Sequence, residues 1–138
     1  LVEASDSELI VEILNEYFDG MTKTIFEHGG TVMKIIGDAI HAIFGAPVED
    51  PEHAAHAVEC ALALDALALG FRKKMKKRGV NLGITRIGVN SGDAIIGNFG
   101  GERFFEYTAY GDSVNIAARL EQANKITRTS NQVPVQAA

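Results

Sequence analysis

Cysteine is almost missing from this chain: Cys60 is the one thiol in 138 residues. A single thiol excludes an internal disulfide framework and a zinc–thiolate cluster, and leaves Cys60 to read as core filler. Cationic excess is missing too. Lys and Arg number 13 against 18 Asp and Glu, for a net charge of −5, so bulk electrostatics do not recruit nucleic acid. No uninterrupted apolar run is long enough to cross a bilayer. No basic-then-apolar leader opens the chain. There is no internal repeat and no long linker. What is present is ordinary globular chemistry, 46% hydrophobic and 22% charged residues, enough for one domain with a real core. The expected setting is reducing and cytoplasmic. The chain starts without Met in the approach to a helix, and is expected to be a piece of something longer.

Ser5-Asp6-Ser7-Glu8 forms a capping box. Behind it Leu9, Ile10, Ile13, Leu14, Tyr17, Phe18, Met21 and Ile25 repeat at helical spacing, up to the break at Gly29-Gly30. Two apolar runs follow, Thr31 to Ile36 and Ala39 to Phe44. Gly37-Asp38 between them predicts a β-hairpin. Asp50-Pro51-Glu52 opens a second helix with Asp50 as cap. Ala54, Ala57, Val58, Ala61, Leu62, Leu64 and Leu67 form its expected buried stripe. The basic run from Arg72 to Arg78 at its far end reads as a solvated terminus matched to the helix dipole. Ile84 to Asn90, Asp93 to Ile96 and Phe104 to Tyr110 are strand candidates. The glycines at 88, 92, 97, 100 and 101 read as tight turns, because their spacing fits neither phosphate-binding glycine motif. Asp112 is expected to cap a third helix over about 113–124. The order of helix, hairpin, helix, strands and helix predicts an α+β two-layer sandwich.

Three polar sets stand out: Lys34 with Asp38, Thr108, and Asn115 with Arg119. Taken singly, each has an ordinary reading: a turn aspartate, a snorkelling lysine, a strand threonine and a solvated helix face. Asp112 and Asp93 read as cap and turn. His28, His41, His53 and His56 form no zinc pattern.

Together the sets lie in segments with a resemblance. GGTVMKIIGDAIHAIFGAP and EYTAYGDSVNIAARLE resemble the catalytic domain of class III nucleotidyl cyclases, specifically bacterial-type adenylate cyclases. RIGVNSGDAIIGNFG is similar to that family's glycine-punctuated strand pair. The resemblance implies a ferredoxin-like fold with a mostly antiparallel sheet and helices on one face. It implies cyclisation of ATP to 3′,5′-cyclic AMP with release of pyrophosphate. The ribose 3′-hydroxyl would attack the α-phosphorus in line, aided by two Mg²⁺ or Mn²⁺ ions. It further implies a head-to-tail homodimer whose active sites are shared between chains.

By this resemblance Asp38 matches a metal-binding aspartate. Lys34 matches the purine-reading lysine: a donor suits adenine N1, an acceptor, and not guanine N1, which carries a hydrogen. Thr108 matches the second base reader, accepting from the adenine amino group. Asn115 and Arg119, one turn apart, match the transition-state pair, with Arg119 suited to phosphate oxygens. Two departures from the family pattern set further expectations. A first metal aspartate belongs on a strand ahead of the first helix, and Asp6 does not replace it. The stretch 127–138 looks unrelated to the family and is expected to be irregular, leaving 1–126 as a partial cyclase domain with exposed sheet edges. Adenylate cyclase is thus the first expectation. A catalytically incomplete dimerisation or nucleotide-binding module is the second, and a guanylate cyclase the third.

Overall fold

The computed structural model describes residues 7–101, 104–127 and 131–132, with side chains at 7–97, 109 and 111–123. The element order is α1 (Ser7–Glu27), β1 (Gly30–Ile36), β2 (Ala39–Phe44), α2 (His53–Lys77), β3 (Ile87–Gly88), β4 (Ile95–Gly101), β5 (Phe104–Tyr110), α3 (Asp112–Thr127) and β6 (Asn131–Gln132). Strands β1 and β2 pair antiparallel, as do β4 and β5, while β3 and β6 pair parallel. Strand β1 also lies beside β5. Helix α1 packs on β1 and α2, and α3 packs on β3, β5 and β6. This is the expected α+β arrangement of helices and antiparallel strands. Ser5, half of the expected capping box, lies outside the described residues.

Helix α1 buries Ile13, Tyr17, Met21 and Ile25, a stripe repeating every fourth residue and therefore on one face. Ile13 meets Met75, Val80 and Leu82, with Leu9 and Phe71 packed around them. Burying side chains of this size stabilises by about 1.5–3 kcal/mol each. The Tyr17 ring lies 5.7 Å from that of Phe71, and its hydroxyl is 3.0 Å from Thr85 Oγ1. Helix α2 ends by closing on this core. Gly79 takes φ +79°, its N–H bonds Lys76 O at 3.0 Å, and the Val80 N–H bonds Met75 O at 2.9 Å. This double closure caps the last carbonyls and presses Val80 onto Met75.

Several local expectations need correction. Asp50 does not sit at the helix boundary. Helix α2 starts at His53, and Asp50 instead accepts the Glu52 N–H at 2.9 Å and meets His56 Nδ1 at 2.5 Å. The expected stripe of α2 holds in part: Ala61 is buried and Ala54, Ala57, Val58 and Leu64 are half-buried. Cys60 is buried too, whereas Leu62 and Leu67 are 57% and 38% exposed. The helix packs on α1, and its alanine- and leucine-rich sequence gives little directional contrast. One consequence is that α2 does contain a stretch of mean hydropathy 1.5 that is long and apolar enough, by length and composition, to cross a membrane. Glu59 and Asp65 break its apolar run, which is why the sequence passes for an ordinary helix. Its packing on α1 and the ion pair of Lys74 with Glu16 suit a domain helix.

The strand expected over 84–90 shrinks to Ile87–Gly88. The preceding residues use side chains instead of a ladder: Thr85 bonds Tyr17, and Arg86 Nε lies 3.2 Å from Glu121 Oε1. A Cβ on Gly88 would come within 2.1 Å of Ala117 O, so glycine there permits contact between β3 and the α3 backbone. Gly97, Gly100 and Gly101 are not turn residues. They sit inside β4, paired opposite Thr108, Phe105 and Phe104, because continuous ladder pairing overrides weak strand propensity. Gly111, not Asp112, precedes α3: its carbonyl accepts from Val114 and Asn115, both at 3.2 Å, while Asp112 occupies the first turn. In the tail, Asn131 and Gln132 pair with β3.

Candidate active site

The β1–β2 hairpin is built around Gly37-Asp38. Ile36 pairs with Ala39, so these two residues alone make the turn, and Gly37 takes φ +58° as two-residue hairpin turns demand. Asp38 is exposed at the tip. Its charge is still felt on α1. Burial pushes the Tyr17 phenol up, the Thr85 hydrogen bond opposes this, and the Asp38 carboxylate adds to the rise.

Lys34 is aimed by an irregularity. Val32 pairs with Ala42 and Lys34 with His41, leaving Met33 as an extra residue in β1. Such a bulge changes which face the following side chains occupy. Gly30 and Val32 share the face turned to α1, where a Cβ on Gly30 would lie 2.8 Å from both Ile25 Cγ2 and Phe44 Cζ. Simple alternation would put Lys34 on that same face. The bulge places it instead with Thr31 and His41 on the opposite face. Lys34 and His41 are both half-buried there. Burial, then the Lys34 charge, pushes the His41 imidazole below its ordinary value. His41 went unremarked in the sequence as a site neighbour, yet counting back from a two-residue Gly37-Asp38 turn pairs residue 41 with residue 34. The bulge itself has no such signal.

Thr108 lies in β5, its backbone paired with Gly97, and its side chain lies outside the described residues. Since β1 neighbours β5, the strands bearing Lys34 and Thr108 are brought together. Asn115 and Arg119 are exposed, one turn apart on α3. The start of α3 is held firmly. Ser113 Oγ donates to Asp93 O at 2.7 Å, and Asn90 Nδ2 donates to Ser113 O at 3.0 Å. Strand β5 joins the two parts within one chain: α3 packs on β3, β5 and β6, and the hairpin lies against α1, α2 and β5. Two surface depressions among the described residues, one along Asp19 to Phe26 and one between Asp65, Arg72 and Thr85, include none of these site residues.

Among the described residues no group of three or more His, Cys, Asp or Glu could hold a metal ion. Mg²⁺ does not need such a cage. It is commonly held by one or two carboxylates, with water and substrate phosphates completing the shell. An exposed carboxylate such as Asp38, on a turn free to enter a cleft, fits that chemistry.

The family model described as "Adenylate and Guanylate cyclase catalytic domain" matches residues 1–135. This chain belongs to that family. The match includes most of the stretch from 127 that looked unrelated in sequence. Adenylate cyclase 1 of Rhizobium meliloti is 39% identical over 128 residues, covering 93% of this chain and 19% of that protein. The chain thus spans about a fifth of that relative. Among solved structures, the adenylyl cyclase CyaB from P. aeruginosa superposes with a TM-score of 0.82 at 32% identity, covering 88% of this chain and 63% of that one. The guanylyl cyclase Cya2 gives 0.78 at 32% identity, covering 88% and 61%. Class III cyclases generally use divalent metal ions. An adenylyl and a guanylyl cyclase thus share this fold, and the fold does not tell the two apart.

Proposed function

We propose that this cyclase domain converts ATP to 3′,5′-cyclic AMP and pyrophosphate. The observation that carries the reading is Lys34: a half-buried cation on the face of β1 turned away from α1, on a strand beside the one bearing Thr108. In this reading the Lys34 ammonium donates to adenine N1, and the Thr108 hydroxyl accepts from the exocyclic amine. Guanine offers N1–H and a carbonyl at those positions, so its N1–H would face the donor-only lysine. Arg119 stabilises the charge developing on the α-phosphate as the 3′-hydroxyl attacks, and its planar fork suits phosphate oxygens. Asn115, one turn earlier, orients the ribose through a neutral hydrogen bond. Asp38 would hold Mg²⁺ or Mn²⁺, which when bound would acidify the 3′-hydroxyl and neutralise phosphate charge.

The reading includes a head-to-tail homodimer. Lys34 and Asp38 then serve different active sites, one reading the base and the other holding metal. Support comes from Lys34 and Asp38 themselves: a half-buried cation in β1 and an exposed carboxylate at the hairpin tip, which suit two different sites. A second reading is a nucleotide-binding dimer without turnover: of the two metal-binding aspartates in the family pattern, Asp38 alone has a match among the described residues.

The test is cyclic nucleotide formation from ATP and from GTP with Mn²⁺, measured on the wild type and on Lys34→Glu with Thr108→Cys. Wild type is expected to favour ATP, and the double variant should shift the ratio of kcat/KM toward GTP by at least about tenfold. Equal use of both nucleotides by wild type would sink the adenine assignment. ATP binding without product would select the second reading.

A further inference from the structure

We infer that His41 is a positioning residue of the purine pocket, holding the Lys34 ammonium toward the base. The inference rests on the proposal that Lys34 reads adenine, and extends it to a residue on the neighbouring strand. Its basis is the hairpin register. His41 is the direct cross-strand partner of Lys34, and directly opposed side chains lie on one face with their Cβ atoms about 5 Å apart. The bulge at Met33 makes this possible, because it moves Lys34 off the α1 face and onto the face of His41. Both residues are half-buried, which limits how far a long lysine can swing.

The chemistry of the pair is directional. Burial and the adjacent ammonium both favour the uncharged imidazole. A neutral imidazole has one acceptor nitrogen and one N–H. The acceptor can take one of the three Lys34 protons and leave others for adenine N1. The ring also fills the flank of the lysine stem, reducing the rotamers that binding must freeze. A protonated imidazole would lack the acceptor and repel the ammonium. His41 therefore acts through Lys34 and touches no reacting atom.

The experiment is equilibrium binding of ATP with Mn²⁺ to the full chain, comparing wild type, His41→Ala, His41→Gln, Lys34→Ala and the Lys34→Ala/His41→Ala pair. Thermal unfolding of each variant checks folding. His41→Ala is expected to weaken ATP binding about three- to fivefold, the scale of a cross-strand pair. His41→Gln, which keeps a neutral acceptor, should stay within about twofold of wild type. In the double variant, loss of His41 should add nothing to loss of Lys34, because the effect passes through the lysine. If active, His41→Ala should raise KM for ATP while kcat stays near wild type. His41→Ala that binds ATP normally while Lys34→Ala binds weakly overturns the inference and leaves the base-reading proposal standing. Losses that add in the double variant overturn it as well. Normal ATP binding by Lys34→Ala, or no ATP binding by wild type, overturns both.

Discussion

The two antiparallel hairpins of this domain are built from similar lengths of strand and solve different problems. In β1–β2 the turn is two residues, the register slips once at Met33, and the first strand is clamped to α1 through the buried Gly30. In β4–β5 the ladder runs without a slip from Ile95–Tyr110 to Gly101–Phe104. A Cβ on Gly97 would meet nothing within 4 Å, and Ile95 is 68% exposed. The first hairpin is bulged and anchored, with Lys34 half-buried beyond the bulge and Asp38 exposed at the tip. The second is a regular ribbon, with Ile95 and Ile96 exposed and Ala109 buried among its described side chains. Irregularity here falls in the hairpin that holds Lys34 and Asp38, as bulges do near active sites, while the regular ribbon holds Thr108.

The strongest way to break the comparison is at the tip of the first hairpin. Asp38→Ala leaves the turn glycine and the ladder in place, and the side chain removed is exposed. Stability should therefore change little, within about 0.5 kcal/mol. Cyclase activity with Mn²⁺ should fall by about a hundredfold or more, since even residues supporting a metal ligand typically cost 10–100-fold. Full activity in a folded Asp38→Ala protein would remove the hairpin's claim to be the chemical one.

Next in size is the anchoring difference. Gly30→Ala pushes a methyl to 2.8 Å from Ile25 and Phe44, and overpacking of this kind costs about 1–3 kcal/mol. Gly97→Ala enters open space and should be neutral, or stabilising by a few tenths up to about 1 kcal/mol. Paired denaturant titrations give both values. Equal costs would mean that the two hairpins are held alike.

How much of this was legible beforehand depends on the distance over which each signal acts. The hairpin around Gly37-Asp38 and the stripe of α1 are local patterns, and both stand as expected. The family segments brought Lys34, Asp38, Thr108, Asn115 and Arg119 into view as a set. What stayed hidden was set by partners far along the chain. The short β3 follows from Gly88 lying against the α3 backbone. Leu62 is exposed because the alanine- and leucine-rich periodicity of α2 leaves its orientation to the packing on α1. The bulge at Met33 leaves no mark in composition, yet it decides the face of Lys34.

The smallest expected effect contrasts two histidines at opposite ends of the β2–α2 segment. His41, inside the ladder, is pushed down from 6.5 by burial and then by Lys34. A depressed histidine binds its proton less readily folded than unfolded, so its contribution to stability is present above pH 6.5 and is lost as pH falls through that value. His56, half-buried at the start of α2, is pushed up from 6.5, first by its hydrogen bond to Asp50. Its contribution is present below pH 6.5 and is lost as pH rises through its raised value. Asp50 is pushed down from 3.8, mainly by His56, so the pair also weakens as pH falls through that lowered value. The two histidines thus slope stability in opposite directions across neutral pH. Unfolding midpoints from pH 5 to 8 should show this once each is removed. His41→Gln should flatten the decline on the acid side, and His56→Gln the decline on the alkaline side. The second change should be the smaller, because the His56 side chain is 41% exposed and its pairing with Asp50 is partly screened by solvent. If both substitutions flattened the same limb, the two sites would share one electrostatic environment, and the ladder would not be what sets Lys34 and His41 apart.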